Sequence, residues 1–328
     1  MSDSIKKIGV FTSGGDSPGM NAAIRSIVRK AVFEGVEVKG ILRGYEGLIN
    51  GEMIDLGSRS VSNILSKGGT ILKTARSSEF MTKQGQEKAV KVIRDNKIDG
   101  LIIIGGNGSF QGALVLHKEW GIRTVGVPGT IDNDLGYTDY TIGAHTAVDT
   151  VLDALDKIRD TVSSMERIYV VEVMGRKEPY LAVMAGLAGG AEEVLYPGRD
   201  VDIEEIARDI NVAERKGKKS WIIIVSEGIS SAHDLAEQIR IATGGREVRG
   251  MTLGHIQRGG GPNAPDRILA SRMGAFAVDS LLKGHYGKMV AIKGHVLELV
   301  SYEKACFDRK KDEKLREELY ALTKMLAT

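Results

Sequence analysis

The sequence predicts an α/β fold with parallel, doubly wound sheets. Short β-branched runs recur along the 328-residue chain. Each run is followed by glycine, and an amphipathic stretch comes next. Strands alternating with helices form a parallel sheet covered on both faces. Right-handed crossovers then bring the loops after the strands to one edge, where such sheets bind ligands.

The elements follow in order. Ile8-Gly9-Val10-Phe11 is the first strand, ended by Gly14-Gly15, and a helix is expected over residues 21–33. Residues 36–41 form a second strand. Leu101-Ile102-Ile103-Ile104 leads through Gly105-Gly106-Asn107-Gly108 into a helix over residues 109–119. Thr124-Val125-Gly126-Val127 is a further strand, with a helix expected over residues 144–159. Strands over residues 168–173, 221–225 and 251–253 continue the series. The basic run Ala213-Glu214-Arg215-Lys216-Gly217-Lys218-Lys219 ends a helix. The charged, amphipathic tail over residues 301–328 reads as one or two surface helices that pack and do nothing more.

Bulk composition excludes several function classes. The length suits two domains, and 42% hydrophobic residues can build a sizeable core. A net charge of +2 with both signs mixed argues against a dedicated nucleic-acid surface. The single cysteine, Cys306, permits no internal disulfide and fits a reducing compartment. Residues 1–7 lack the apolar core of a signal peptide, and no apolar run is long enough to span a membrane. The expectation is a soluble cytoplasmic protein with neither nucleic-acid nor membrane partners.

The chemistry concentrates in Pro128-Gly129-Thr130-Ile131-Asp132-Asn133-Asp134, a loop after a strand that carries two carboxylates and a hydroxyl. In extended geometry Thr130, Asp132 and Asp134 share one side. A carboxylate placed there can take a proton from an alcohol, as a kinase requires. The same heptapeptide also reads as an Asp/Asn turn. Thr12-Ser13-Gly14-Gly15-Asp16-Ser17-Pro18-Gly19-Met20-Asn21 and Gly105-Gly106-Asn107-Gly108-Ser109 each join a strand to a helix. Glycines clear space there for a phosphate, which the helix N-terminus attracts. Neither loop is a Walker A motif. Gly259-Gly260-Gly261-Pro262-Asn263-Ala264 matches the dinucleotide fingerprint only by letter, because no strand precedes it. Arg76, Arg167, Arg176, Arg249 and Arg258 are natural phosphate clamps that also read as surface ion pairs. His255 stands out among the six histidines, and no His/Cys cluster has zinc spacing.

Together these blocks resemble the bacterial-type ATP-dependent 6-phosphofructokinases, over about residues 5–293. Gly69-Thr70, Val173-Met174-Gly175-Arg176, Gly254 to Gly260 and Asp266-Arg267-Ile268-Leu269-Ala270-Ser271-Arg272 add to the match. The resemblance implies two doubly wound, Rossmann-like parallel-sheet domains with the active site in the cleft between them. Residues 1–143 and 256–305 would form the large ATP-binding domain, and residues 144–255 and 306–328 the small sugar-phosphate domain. It implies a homotetramer that transfers the γ-phosphoryl of ATP to fructose 6-phosphate in glycolysis, with Mg²⁺. By resemblance Asp132 is the general base, with Thr130, Asp134, Arg76 and Arg176 around the reacting groups. Gly15, Arg76, Ser77, Gly106, Asn107, Gly108 and Ser109 fall on the ATP site. Thr130, Ile131, Asp132, Met174, Gly175, Arg176, Glu227, His255 and Arg258 fall on the sugar-phosphate pocket, which Arg167 and Arg249 reach from a neighbouring subunit. Arg25, Arg29, Arg159, Glu192, Lys216 and Lys218 fall on the effector site for ADP or phosphoenolpyruvate, where Ser58 replaces an arginine. Gly108 and Gly129 stand where pyrophosphate-using relatives carry Asp and Lys, so the donor expected here is ATP.

Four departures from the family pattern are visible. Asn107 replaces the aspartate of the metal loop and weakens its grip on Mg²⁺, leaving Asp16 or Asp134 to compensate. Pro179-Tyr180 replaces Gly-Asp after Arg176-Lys177-Glu178. Gly261-Pro262-Asn263-Ala264-Pro265 lacks a serine and an aromatic, and Ala144 replaces an aromatic. Asn107 and Pro179 motivate a second reading, a weakened paralogue that binds nucleotide or sugar phosphate and regulates a partner. A kinase for a related sugar phosphate such as tagatose 6-phosphate is a third.

Overall fold

The computed structural model describes residues 5–308 and 313–327, which divide into two compact units. One takes in residues 5–146 and 258–308, the other residues 147–257 and 313–327. In chain order the strands are β1 (Lys7–Ser13), β2 (Glu37–Ile41), β3 (Met53–Leu56), β4 (Gly100–Gly105), β5 (Thr124–Pro128), β6 (Ile168–Val173), β7 (Glu193–Leu195), β8 (Trp221–Ser226), β9 (Val248–Thr252), β10 (Lys288–Lys293) and β11 (Val296–Ser301).

The first unit holds a seven-stranded sheet in the order β11-β10-β5-β4-β1-β2-β3. Alternate side chains of its central strands enter opposite cores. Ile8, Val10, Ile102, Ile104 and Val127 pack with the helices Met20–Phe33 and Ala264–Leu282. Phe11, Leu101 and Ile103 pack on the other face with the helices Lys83–Asp95 and Asn107–Trp120. In the second unit the order is β7-β8-β6-β9, all parallel. Ile168, Val170, Ile223 and Val225 pack there against Ile206, Ile210, Leu235 and Ile239.

Three sequence expectations change. The first sheet is not wholly parallel, because β2–β3 and β10–β11 are antiparallel pairs at its edges. Only Gly294 and His295 separate β10 from β11, and a connection that short can join only antiparallel strands. The helix expected to end near residue 159 runs Ala144–Met165. Val162 is buried and prolongs the stripe of Val151, Leu155 and Ile158. The tail does form the helices Tyr302–Phe307 and Glu313–Leu326, yet Tyr302 and Cys306 belong to the first unit's core and Tyr320 is buried in the second.

The register of the central strands decides where the loops emerge. Ser13 pairs with Gly105, and Gly105 with Pro128. Three parallel strands therefore end level, and the loops beginning at Gly14, Gly106 and Gly129 leave the sheet side by side.

One fully buried carboxylate fixes the return of the chain after the Asp132 loop. Asp266 accepts the amides of Gly143 and Thr146 at 2.9 and 2.8 Å and the Thr146 hydroxyl at 2.6 Å. It lies in the first turn of the helix Ala264–Leu282, where negative charge is favoured. Asp266→Ala strands these buried donors and should cost about 3 kcal/mol. A urea midpoint equal to wild type would show that the carboxylate is dispensable.

Candidate active site

The Asp132 loop is held at both ends by backbone. Gly129 N–H donates to the Gly105 carbonyl at 2.9 Å, and Ile142 N–H to that of Pro128 at 2.9 Å. Ile131 and Leu135 are fully buried anchors, while Asp132 and Asp134 stay half-buried. The Thr130 hydroxyl accepts the Asp132 amide at 3.2 Å. The Thr141 hydroxyl donates to the Thr130 carbonyl at 2.6 Å. The segment is not extended as the sequence suggested. Asn133 adopts φ 46°, and its side-chain amide donates to the Asp139 carbonyl at 3.0 Å. This turn breaks the alternation between Asp132 and Asp134. Asparagine tolerates the left-handed region and bonds nearby backbone, which is why it sits there.

The Gly106 loop lies against this one, and the Gly14 loop lies against the Gly106 loop. A Cβ at Gly106 would come within 3.4 Å of the Thr130 side chain, and one at Gly14 within 3.4 Å of the Ser109 hydroxyl. A Cβ at Gly108 would meet nothing beyond its own helix turn within 4 Å. Asn107, Gly108 and Ser109 begin the helix Asn107–Trp120, whose first-turn amides have no acceptor within the helix. The buried Tyr45 phenol, its pKa pushed well up by burial, donates to the Ser109 carbonyl at 2.6 Å. The Asn107 side-chain oxygen accepts the Gln111 amide at 2.6 Å, and the Cys306 thiol lies 3.8 Å from the Asn107 carbonyl.

Residues 67–77 are clamped onto the first loop. The Asn21 side chain donates to the Lys67 and Gly68 carbonyls at 3.1 and 3.0 Å and accepts the Ile71 amide at 2.8 Å. Thr12 Oγ1 donates to the Lys73 carbonyl at 2.7 Å and lies 2.9 Å from the Thr70 hydroxyl. Thr74 Oγ1 donates to the Gly14 carbonyl at 2.7 Å. Exposed Arg76 and half-buried Ser77 ride on this clamped segment, and Ser77 Oγ accepts the Phe80 amide at 3.3 Å. Arg258 also belongs to this loop. It donates to the Asp16 carbonyl at 3.1 Å, and its guanidinium fills the space a side chain at Gly15 would need. The run from Gly259 to Gly261 has a packing role, because Gly68 and Gly260 meet backbone to backbone.

In the second unit, Met174-Gly175-Arg176 leaves the end of β6. Gly175 adopts φ 135°. Gln257, fully buried, accepts the Met174 amide at 3.2 Å and donates to the Gly254 carbonyl at 2.9 Å. Arg176 pairs with Glu227 at 3.3 Å. Arg167 and Arg249 share Glu247, at 2.8 and 3.1 Å. His255 is exposed on the short helix Gly254–Arg258.

The residues matched to an effector site fall in both units. Arg25 and Arg29 sit on the helix Met20–Phe33 of the first, where Ser58 and Arg59 are exposed. In the second, Arg159 donates to the Gly190 carbonyl at 2.8 Å. Buried Glu192 accepts the Ile222 amide at 2.7 Å and pairs with Lys218 at 3.3 Å. Lys218 also bonds the Ala327 carbonyl, and Lys216 is exposed.

A phosphofructokinase family model matches residues 7–281. The chain belongs to the phosphofructokinase family. It is 51% identical over 320 residues to the ATP-dependent 6-phosphofructokinase of Clostridium tetani, covering 97% of this chain and all of the relative. It is 47% identical over 323 residues to that of Thermoanaerobacter sp. (strain X514), covering 98% and 100%. Among solved structures, phosphofructokinase from Saccharomyces cerevisiae superposes with a TM-score of 0.88 at 33% identity, over 98% of this chain and 48% of that one. The chain thus spans about half the length of the yeast chain. A pyrophosphate-dependent phosphofructokinase from Marinobacter aquaeolei shares the fold, with a TM-score of 0.83 at 22% identity over 97% of this chain and 92% of that one.

Asn21, Thr12, Thr74 and Gln257 were not singled out by sequence, yet they position the family's motif loops. Asn21→Ala removes three hydrogen bonds to residues 67–71 and should cost about 2–3 kcal/mol. It should also multiply the KM for ATP more than that for fructose 6-phosphate. Equal effects on both would mean that the clamp does not serve the nucleotide loop.

Proposed function

We propose that the chain transfers the γ-phosphoryl group of ATP to the 1-hydroxyl of fructose 6-phosphate, giving fructose 1,6-bisphosphate and ADP in glycolysis, with Asp132 as the general base. The observation that carries this reading is the contact between the Asp132 loop and the Gly106 loop at the level ends of three strands. The Asp132 carboxylate takes the hydroxyl proton as the substrate oxygen bonds to the γ-phosphorus. The bond from that phosphorus to the bridging oxygen breaks, and ADP leaves with the electron pair. Such transfer needs positioning and positive charge more than covalent chemistry. The helix beginning at Asn107 supplies amides to the phosphates. Arg76 and Arg176 supply charge at the transferred group.

Gly15, Ser77, Gly106, Asn107, Gly108 and Ser109 are assigned to the nucleotide. Thr130, Ile131, Met174, Gly175, Glu227, His255 and Arg258 are assigned to the sugar phosphate. Arg167 and Arg249 are assigned to it from a neighbouring subunit of a homotetramer, and Arg25, Arg29, Arg159, Glu192, Lys216 and Lys218 to the site of an anionic effector such as ADP or phosphoenolpyruvate. Magnesium enters as the complex with ATP. Asn107 offers only a neutral oxygen that is engaged by Gln111, and no group of three or more His, Cys, Asp or Glu among the described residues is placed to hold a metal. No helix among them is long and apolar enough to cross a membrane, which suits a cytoplasmic enzyme.

Asp132→Asn should lower turnover by about 10³-fold while ATP binding persists. A variant within tenfold of wild type, in an assay coupling ADP release to fructose 6-phosphate, would remove Asp132 from the role of base. Gly108 tests the choice of donor. Open space there lets Gly108→Asp fold, and an acid in the first turn favours the helix, so the Tm should not fall. The added charge faces the phosphates and should raise the KM for ATP at least about tenfold. An unchanged KM would move the nucleotide away from this turn.

A further inference from the structure

The Lys73 side chain has no part in the site described so far, yet its backbone is held in a costly conformation. It lies in the left-handed region at φ 56°, which glycine enters freely and a residue with a Cβ does not. The turn is fixed on both sides. Lys73 N–H donates to the Thr70 carbonyl at 3.1 Å, its carbonyl accepts the Thr12 hydroxyl at 2.7 Å, and Thr74 Oγ1 donates to the Gly14 carbonyl at 2.7 Å. Thr12 is fully buried, so the Lys73 backbone is anchored to the strand that ends at the Gly14-Gly15 loop. Lys73 itself is exposed, three positions before Arg76.

Two nearby cations spend their charge within the protein. Arg43, also left-handed at φ 55°, pairs with Glu52, and Lys39 pairs with Asp55 at 2.7 Å. Among the described residues no carboxylate pairs with Lys73 or with Arg76. Among the described residues Lys67, Lys73 and Arg76 thus extend from one pinned segment without ion pairs, and Lys73 and Arg76 flank Thr74, which bonds the Gly14 carbonyl. Strain retained at such a place marks function when the surroundings enforce it. The ammonium is a compact point charge on a flexible four-carbon stem, suited to a phosphate that moves during transfer.

We propose that Lys73 is a further phosphate-binding residue, whose ammonium meets the terminal phosphates of the nucleoside triphosphate next to Arg76. This rests on the phosphoryl-transfer reading above. The charge is set against the outermost phosphates, so its loss weakens ATP most, ADP less and AMP not at all.

The test is calorimetric binding of ATP, ADP and AMP to the full chain, with steady-state kinetics, for wild type, Lys73→Met, Lys73→Gly and Lys73→Arg. Lys73→Met should raise the Kd for ATP about tenfold and leave the KM for fructose 6-phosphate within about twofold. Lys73→Arg should recover most of the affinity. Lys73→Gly should lose ATP affinity as Lys73→Met does, with a Tm no lower than wild type, because relieved strain offsets the looser unfolded chain. ATP affinity within twofold of wild type in both the Met and Gly variants overturns the proposal and leaves the phosphoryl-transfer reading intact. Equal losses for ATP and AMP overturn it too, since the charge would then not face the terminal phosphates. A wild-type chain that binds no ATP sinks both readings together.

Discussion

The level ending of β1, β4 and β5 is the constraint on which the candidate site depends. Hydrogen bonds between parallel strands fix their stagger, and a shift of two residues, the smallest that keeps each face pointing inward, would displace a loop by about 6–7 Å. At that offset the Gly106 loop would no longer touch Thr130. The register therefore acts at a distance: Ile8, Val10, Ile102 and Ile104 lie in the core, yet their pairing decides whether the Asp132 loop and the Gly106 loop share one place.

Level strand ends do not order the loops by themselves. Thr12 and Asn21 do that by drawing residues 67–74 onto the first loop with groups that are themselves buried. Buried polar groups are costly unless paired, so this arrangement persists only while every bond is made. Glycines complete it by allowing backbone to approach backbone at Gly68 and Gly260, and guanidinium to approach backbone at Gly15. Similar logic governs Asp266, a carboxylate that gathers the amides of Gly143 and Thr146 and so sets the exit of the Asp132 loop. In the first unit, rigidity thus comes from a few buried polar side chains, while the groups assigned to chemistry remain partly exposed.

Much of the fold was legible because fully buried parallel strands are continuous apolar runs. Leu101-Ile102-Ile103-Ile104 and residues 221–225 could hardly be anything else between their glycines and turns. Edge strands escaped for the opposite reason. In β3, Ile54 is 40% exposed beside Asp55, and in β11 Val296 is 67% exposed, so neither carries a core signature. The glycine loops of the candidate site were legible because the need for glycine is local. The clamp was not, because Asn21 reaches carbonyls 46 and 47 positions away and Thr12 one 61 away, and nothing in the spacing of threonine or asparagine announces such partners. The turn at Asn133 was misjudged because alternation was assumed past the end of a strand.

The departures from the family pattern bear on whether this chain is a working enzyme or a binding relative. Three of the four segments concerned have a local structural account. Pro179 stands just before the helix Tyr180–Ala188, and its carbonyl accepts the Val183 amide at 2.9 Å, so its missing N–H falls where helices tolerate proline. Asn263 caps the helix Ala264–Leu282 by accepting the Asp266 amide at 3.0 Å, and so orients the carboxylate that holds Gly143. Asn107 keeps the first turn of its helix and ties its amide to Gln111. What it gives up is the negative charge that the family pattern carries at this position. Under the proposed assignment that loss weakens the hold on a metal, but it also removes a repulsion that an anionic nucleotide would otherwise meet at the same turn. Under the proposed assignment, a chain that keeps the Asp132 loop and Arg76, and trades one carboxylate for a neutral amide pair, shifts the balance between metal and nucleotide, while the loops that meet at the level strand ends stay in place.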